Sequence, residues 1–411
     1  MIYRFLTSRL PDASSRRLVM ITGARQTGKT TLARAIYPNL RYISLDEVET
    51  RLQLRQLPTR AWANTAGPAI LDEAQKEPSI FEKVKFAYDQ EELDFSVLLG
   101  SSQITMLKKV RETLAGRVFI YELWPLLLSE LTGGSAPQPP LLDRLLTARE
   151  KADEILTEEA PVLLGEEARH QAEWLEYALA WGSMPGLLPL NQADRRDWLR
   201  SYTNTYLERD LADLARLDDL LPFRRFLQLA ALRSGQLLSY ADLARDTAVS
   251  PTTARNYLHY LTLSYQAFLL QPWFGNQTKR LVKSPKLYWI DIGLCRQQTG
   301  NWGKANGPLW ETFVVGECYK WVKTMRPDTH IWFYRAHGGL EVDILLESEH
   351  GMWGIEVKAS RQAGRGQTRS LRRLGKQMGD QWRGGLLVYQ GEQIIRLEEN
   401  IWAVPAGRLF G

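Results

Sequence analysis

The sequence predicts an α/β protein: a parallel sheet with covering helices first, a helical and helix-turn-helix middle region, and a second α/β domain at the end. Three observations predict it. Residues 17 to 130 alternate short β-rich apolar runs with helical stretches, residues 223 to 271 hold three helical segments separated by turns, and residues 308 to 411 run helix, three strands, basic helix, strand. At 411 residues the chain is too long for one ordinary core, so parts are expected at 1–135, 141–222, 223–300 and 305–411.

The candidate strands of the first part are RLVMIT, RYISL, PAILD and FSVLLG, starting at Arg17, Arg41, Pro68 and Phe95. GGSAPQPP, Gly133 to Pro140, combines Gly, Ser and Pro without periodicity and reads as a linker. From Leu141 to about Leu220 the pattern is helical, broken at GSMPG, Gly182 to Gly186. In the helix-turn-helix, Ser239 and Ser250 are expected N-caps and Pro251 a first helical residue. The following stretch, QAFLLQPWFGNQTKRLVKSPKLYWID from Gln266, alternates like a hairpin and would supply a wing.

No 18-residue apolar run could span a bilayer, so no membrane partner is expected. The start, MIYRFLTSRLPDASS, carries arginines where a signal peptide needs an apolar core, and the expected location is cytoplasmic. Cys295 and Cys318 are too few for a disulfide framework, and the five histidines form no ligand-spaced cluster.

GARQTGKTT, Gly23 to Thr31, matches G-x-x-x-x-G-K-[ST] behind an apolar run and ahead of the helical TLARAIYP. Chance produces such a match in roughly one random chain of this length in a hundred. Gly23, Ala24, Arg25, Gln26, Thr27, Gly28, Lys29, Thr30 and Thr31 would cradle a nucleotide: the glycines let amides converge on phosphate oxygens, Lys29 reaches the β and γ phosphates, and Thr30 offers a hydroxyl to Mg²⁺. PAILDEAQ is an apolar strand ending in two acids; Asp72 would hold the metal and Glu73 orient the attacking water. FSVLLGSSQ ends in Ser101, Ser102 and Gln103, small polar groups that could touch the γ phosphate or the water. In LAGR, Arg117 could sense phosphate, reach across a subunit boundary or form an ordinary salt bridge.

In order and spacing, GARQTGKTTL, YISLD, AILDEAQ, LLGSSQ and LAGR resemble the AAA+ ATPase domain of a large group of bacterial and archaeal ATP-binding proteins whose C-terminal region is a domain of unknown function. The likeness continues through SYTNTYLERDL, Ser201 to Leu211, to the end of the chain. It implies ATP and Mg²⁺ as cofactors, Asp72 and Glu73 as Walker B acids, Ser102 or Gln103 as sensor, residues 141–222 as lid or linker, and a homo-oligomeric ring.

In the tail, strand-like EVDILLE puts Glu341 and Asp343 on one face, and GIEVK puts Glu356 and Lys358 on a common face. If the two strands pair, Asp343, Glu356 and Lys358 converge. This set resembles the PD-(D/E)xK core of restriction-endonuclease-like folds, which implies that the acids hold a divalent cation and the lysine activates water. Glu311, in LWETFVVGECYKW, resembles the extra acid of such enzymes, with Glu317 the second choice. A surface salt bridge, or a fold that binds DNA without cutting it, accounts for the same residues.

Arg361, Arg365, Arg369, Arg372, Arg373 and Lys376 would line one side of a helix, either as a solvated face or against phosphates. Thr252, Thr253, Arg255 and Asn256 start the second helix of the helix-turn-helix, where side chains reach DNA unless the module serves only for packing. The expectation is an ATP-hydrolysing protein coupled to DNA binding and metal-dependent DNA cleavage, in processing, repair or defence. The alternative is an ATP-gated switch that binds DNA or protein through an idle nuclease-like domain.

Overall fold

A computed structural model of the chain describes residues 2–101, 110, 112–134, 137–207, 220–274, 284–336 and 339–411. Five strands form the first sheet: β1 (Arg17–Gly23), β2 (Arg41–Ser44), β3 (Ala69–Asp72), β4 (Phe95–Ser101) and β5 (Val118–Glu122). The sheet is parallel, in the order β2-β3-β4-β1-β5. The inner strands β1, β3 and β4 are apolar without alternation because both of their faces are covered, whereas the edge strands β2 and β5 are partly exposed. Leu18 and Met20 enter one core cluster with Leu71, Phe81 and Leu98, while Val19 and Ile21 enter another with Ile70, Val97 and Leu99. The C-terminal ends of these strands bring Gly23 beside Ser101 and Ser44 beside Asp72. That edge is where ligands bind in open α/β sheets.

Helix α1 (Lys29–Ile36) follows β1, and α2 (Ile80–Asp89) follows β3. In the middle region, the helix Gly165–Trp181 stops where the sequence predicts a break. Gly182 there has φ +80°, and a Cβ would lie 2.3 Å from an oxygen of Asp291. Helices α3 (Gln192–Tyr202), α4 (Leu221–Leu232), α5 (Tyr240–Thr247) and α6 (Pro251–Leu263) follow. The expected caps form: Ser239 Oγ accepts from the Asp242 amide at 3.2 Å, Ser250 Oγ accepts from the Thr253 amide at 3.0 Å, and Pro251 opens α6.

The second sheet holds β6 (Gln236–Leu237), β7 (Ala267–Pro272), β8 (Lys286–Trp289), β9 (His330–Ala336), β10 (Leu340–Ser348), β11 (Gly351–Lys358), β12 (Trp382–Tyr389), β13 (Ile395–Glu398) and β14 (Ile401–Pro405). Their order is β13-β14-β12-β11-β10-β9-β7-β8-β6. The hairpin expected as a free wing, β7 with β8, is thus part of this sheet, because β7 pairs in parallel with β9 at Gln271↔Trp332 and Pro272↔Phe333. The physical reason is burial. All four residues of β8 are buried, and a projecting hairpin would expose them and a bare edge. The sheet therefore crosses the boundary expected near residue 300.

One core cluster runs from Phe5 and Trp124 through Phe226, Leu258 and Trp289 to Trp310, Trp353 and Phe410. Helices α7 (Ile292–Thr299) and α8 (Gly307–Met325) lie within it. α8 and the residue after it are also tied to the segment that follows β5. Glu317 accepts from the Leu128 amide at 2.9 Å, Lys320 donates to the Leu126 carbonyl at 2.8 Å, and Arg326 grips Asp143 with bonds of 2.7 and 2.6 Å. Among the described residues, no helix is long and apolar enough to cross a membrane.

The basic helix, α9, spans Arg369–Met378 and is shorter than its charge run suggests. Arg361 and Arg365 precede it, because Gly364 and Gly366 interrupt the segment where the sequence predicts continuous helix. Leu371, Leu374 and Met378 pack against Val342, Leu345 and Trp382, which leaves Arg369, Arg372, Arg373 and Lys376 exposed.

Candidate functional site

The turn between β1 and α1 depends on two glycines. Gly23 has φ +150°, and a Cβ there would stand 2.1 Å from the Leu123 carbonyl oxygen; Gly28, at φ +93°, is the left-handed residue that opens α1. Between them Ala24, Arg25, Gln26 and Thr27 complete the loop, with Thr27 Oγ1 donating to the Ala24 carbonyl at 3.0 Å. Lys29 is buried and folds back over this loop, donating to the carbonyls of Gly23 at 3.0 Å and Ala24 at 2.8 Å. Burial pushes its ammonium down to about 8, against the pull of the Glu73 and Asp72 charges and with a small push from Arg25.

Thr30, one residue on, donates through Oγ1 to Asp72 Oδ2 at 2.7 Å, so the phosphate loop and the acid at the end of β3 meet directly. A hydroxyl and a carboxylate this close suit Mg²⁺ bound together with a triphosphate. Glu73 leaves the strand at φ +53°, its amide donating to Asp72 Oδ1 at 2.9 Å. Gln75 donates to Glu73 Oε2 and, at 3.4 Å, to Ser101 Oγ at the tip of β4. Thr31 faces solvent one residue beyond Thr30. Ser102 and Gln103 lie outside the described residues.

Arg117 does not join this site within one chain. It precedes β5, whose Val118 pairs with Leu18 at the start of β1, whereas the loop lies at the opposite end. There it holds Asp89 bidentately, at 2.6 and 3.0 Å, so of the roles open to it the structure shows the salt bridge.

Three contributors escape a motif search. Tyr42 donates to the same Asp72 oxygen at 2.8 Å. Arg4, buried 23 residues before Thr27, donates to Thr27 O at 2.8 Å, Trp124 O at 2.6 Å and Glu130 at 2.9 Å. Tyr202, at the end of α3, donates to Arg25 O at 3.3 Å. Tyr42 stands in the RYISL strand run, where its alternation could have marked it. The other two carry no local signal.

The second group of acids converges as the strand reading predicts. β10 and β11 pair antiparallel with Ile344 opposite Ile355, and Asp343 Oδ2 accepts from the Val357 amide at 2.8 Å. Lys358 donates to Glu356 Oε1 at 2.8 Å, and Glu311 approaches from α8. Glu317 does not approach, since it pairs with Lys320 on the side facing Leu128. Burial raises Asp343, reinforced by the charges of Glu356 and Glu311. Burial also raises Glu356, with Lys358 pulling the other way.

The sequence gives no warning of Lys286. From β8 its ammonium reaches Glu341 at 2.7 Å, Glu311 at 3.2 Å and Asp343 at 3.8 Å, while the neighbouring Tyr288 donates to Glu311 at 2.6 Å. Burial would lower this ammonium, but the charges of Glu311, Asp343 and Glu341 prevail and hold it above its ordinary value. Among the described residues, no three His, Cys, Asp or Glu side chains are placed to hold a metal ion. The expected cation set of Glu311, Asp343 and Glu356 therefore does not fit a metal as arranged. Lysines are the cations beside these acids, Lys286 next to Glu311 and Asp343 and Lys358 next to Glu356.

The five-stranded parallel sheet and its amide-lined loop form a P-loop ATPase fold, and residues 15–132 match the AAA domain family. That match and the loop geometry support ATP binding and hydrolysis by this part of the chain. Residues 172–304 and 306–409 match two further families, each described as a domain of unknown function. Uncharacterised proteins of Mycobacterium tuberculosis and Mycobacterium bovis are each 29% identical to the chain over 403 residues, covering 96% of it and 81% of their own length. A Walker-type ATPase of Pyrococcus abyssi shares 14% identity over 71% of this chain and 94% of its own, with a TM-score of 0.43.

Proposed function

We propose that the chain is an ATP-hydrolysing, DNA-binding protein, in which the phosphate loop and Walker B acids power or gate a DNA-facing surface. The contact of Thr30 with Asp72 carries the first half of this reading, because it joins the two motifs that nucleotide hydrolysis requires. The second half rests on surface chemistry. Thr252, Arg255 and Asn256 are exposed on the first turns of α6, and Arg369, Arg373 and Lys376 are exposed on α9. Such residues neutralise phosphates and reach base edges. The test is the ATPase rate of the full chain with single-stranded, duplex and junction DNA. A rate unmoved by all three, together with no salt-dependent DNA retention, would remove the DNA half.

Metal-dependent cleavage by the C-terminal acids is the further expectation, supported by the convergence of Asp343, Glu356 and Lys358. Lys286, seated among the acids, favours instead a nuclease-like centre that is idle in this arrangement. Plasmid nicking with Mg²⁺ or Mn²⁺, by wild type and Asp343→Ala, separates the two. Homo-oligomer formation is proposed on the resemblance to AAA+ proteins, and sedimentation with and without ATP tests it.

A further inference from the structure

Lys286 holds a position that ordinary surface lysines do not. Its side chain is 6% exposed and its strand is fixed on both sides, by Leu269↔Leu287 on β7 and Leu237↔Lys286 on β6. Its ammonium also lies 5.6 Å from the ring centre of Phe333. The acids it meets come from different elements, Glu311 from α8 and Glu341 and Asp343 from β10. A second, independent feature marks the same centre. Glu356 is 9% exposed, and while its Oε1 pairs with Lys358, its Oε2 is buried without a hydrogen-bond partner among the described residues. A buried carboxylate oxygen left without a donor normally costs free energy, unless a cation or water completes it.

We propose that Lys286 is a tethered internal cation that closes the C-terminal carboxylate centre, and that a divalent metal ion binds Asp343, Glu356 and Glu311 only when the ammonium is absent or withdrawn. Charge and geometry support the exchange. Hard divalent cations take carboxylate oxygens at about 2.0 to 2.6 Å. The ammonium stands 3.2 Å from Glu311 and 3.8 Å from Asp343, two of those three acids, and 2.7 Å from Glu341 beside them, and it meets them with one positive charge instead of two. Deleting that charge leaves four buried or half-buried carboxylates with Lys358 on Glu356 and the half-exposed Arg335, 3.8 Å from Glu341, as their remaining cations among the described residues, a strong electrostatic demand for a metal. Any cutting by the opened centre rests on the cleavage reading above. Competition between Lys286 and a metal does not, and it is measured without DNA.

The experiment uses the full chain without nucleotide, so that no phosphate-bound metal contributes, and follows Mn²⁺ by electron paramagnetic resonance. Lys286→Gln should gain one Mn²⁺ site and bind about tenfold or more tighter than wild type. Lys286→Arg, which keeps the charge, and Lys286→Gln with Asp343→Asn should gain none. Wild type and Asp343→Asn should be indistinguishable, a comparison that stands even if Lys286→Gln does not fold. Folded Lys286→Gln that binds no better than wild type overturns the proposal, as does a wild-type Mn²⁺ site that Asp343→Asn removes. If Lys286→Gln binds Mn²⁺ but leaves plasmid DNA intact, the cleavage reading falls and the competition stands. Mn²⁺-dependent nicking by wild type that requires Asp343 has the reverse meaning.

Discussion

Thr30 Oγ1 and Asp72 Oδ2 lie 2.7 Å apart, across a sequence separation of 42 residues. The contact exists because β3 stands two strands from β1, and both end at the same edge of the sheet. Tyr42 on β2 adds a second donor to that oxygen and fixes its orientation.

The first prediction concerns the neighbouring acid. Glu73 is held by Gln75 and sits one residue past Asp72, whose Oδ1 accepts from its amide and whose other carboxylate oxygen meets Thr30. Glu73→Gln should leave ATP binding intact and lower turnover by about 10²- to 10⁴-fold, the range for a lost general base. Lys29→Ala should abolish turnover by loss of binding instead. Single-turnover kinetics with equilibrium binding distinguishes the two, and wild-type turnover in either variant would remove the hydrolytic assignment.

A second prediction follows from the burial of Lys29. With its value pushed down to about 8, the ammonium is charged below that pH and loses its proton above it. A triphosphate needs the charged form, so ATP affinity should fall as pH rises through about 8, approaching about tenfold per unit. Lys29→Arg should flatten the profile, because guanidinium stays protonated. For folding the sign is reversed. The nucleotide-free native state releases this proton before the unfolded chain does, so this group adds stability as pH rises from about 8 towards 10.5. Equal ATP affinity at pH 7 and pH 9 in wild type would contradict the account.

The sequence carries the parts of the site whose chemistry is local. Gly23, Gly28, Lys29 and Thr30 are adjacent, and their types are dictated by amides converging on phosphate. Asp72 follows from an apolar run that ends in acid. Ser239 and Ser250 announce their helices by capping, and the two-residue period of EVDILLE and GIEVK brings Asp343, Glu356 and Lys358 together. The sequence is silent where sheet order decides. Arg117 in LAGR could as well sense phosphate as form a salt bridge, and the parallel pairing of β5 with β1 places it at the far end of its own sheet from the loop. Lys286 and Glu341 are 55 residues apart and meet only because β7 pairs with β9 instead of projecting as a wing.

Arg4 supplies a third prediction, on stability. Arg4, 7% exposed, pairs its guanidinium with Glu130, 3% exposed, which also accepts from the Phe5 amide at 2.8 Å and the Leu127 amide at 3.1 Å. Arg4→Met would leave that carboxylate buried beside two amides but without its counter-charge, and would release the carbonyl of Thr27 in the phosphate loop. A loss of about 3 to 5 kcal/mol is expected in urea denaturation. Arg4→Met with Glu130→Gln should lose less than the sum of the single changes, since each removes the other's partner. Additive losses would show that the pair does not act as a unit.

The last prediction concerns communication between the phosphate loop and the strand that carries Lys286. Tyr202 donates to the Arg25 carbonyl at 3.3 Å and accepts from Gln266 Nε2 at 3.3 Å, while the Gln266 carbonyl accepts from the Ile290 amide, just past β8, at 3.0 Å. Contiguity alone does not make a pathway, so a coupling energy has to be measured. If ATP changes DNA affinity through this chain of bonds, Tyr202→Phe and Gln266→Ala should each reduce the effect, from about 5- to 100-fold towards none, without abolishing ATP binding. The double variant should be no worse than either single one. Hydrogen exchange over residues 286–290 offers a readout that needs no DNA: ATP should alter it in wild type and not in Tyr202→Phe. An ATP response that survives intact in Tyr202→Phe would mean that the loop signals by another route, and the Arg25 contact would then be packing alone.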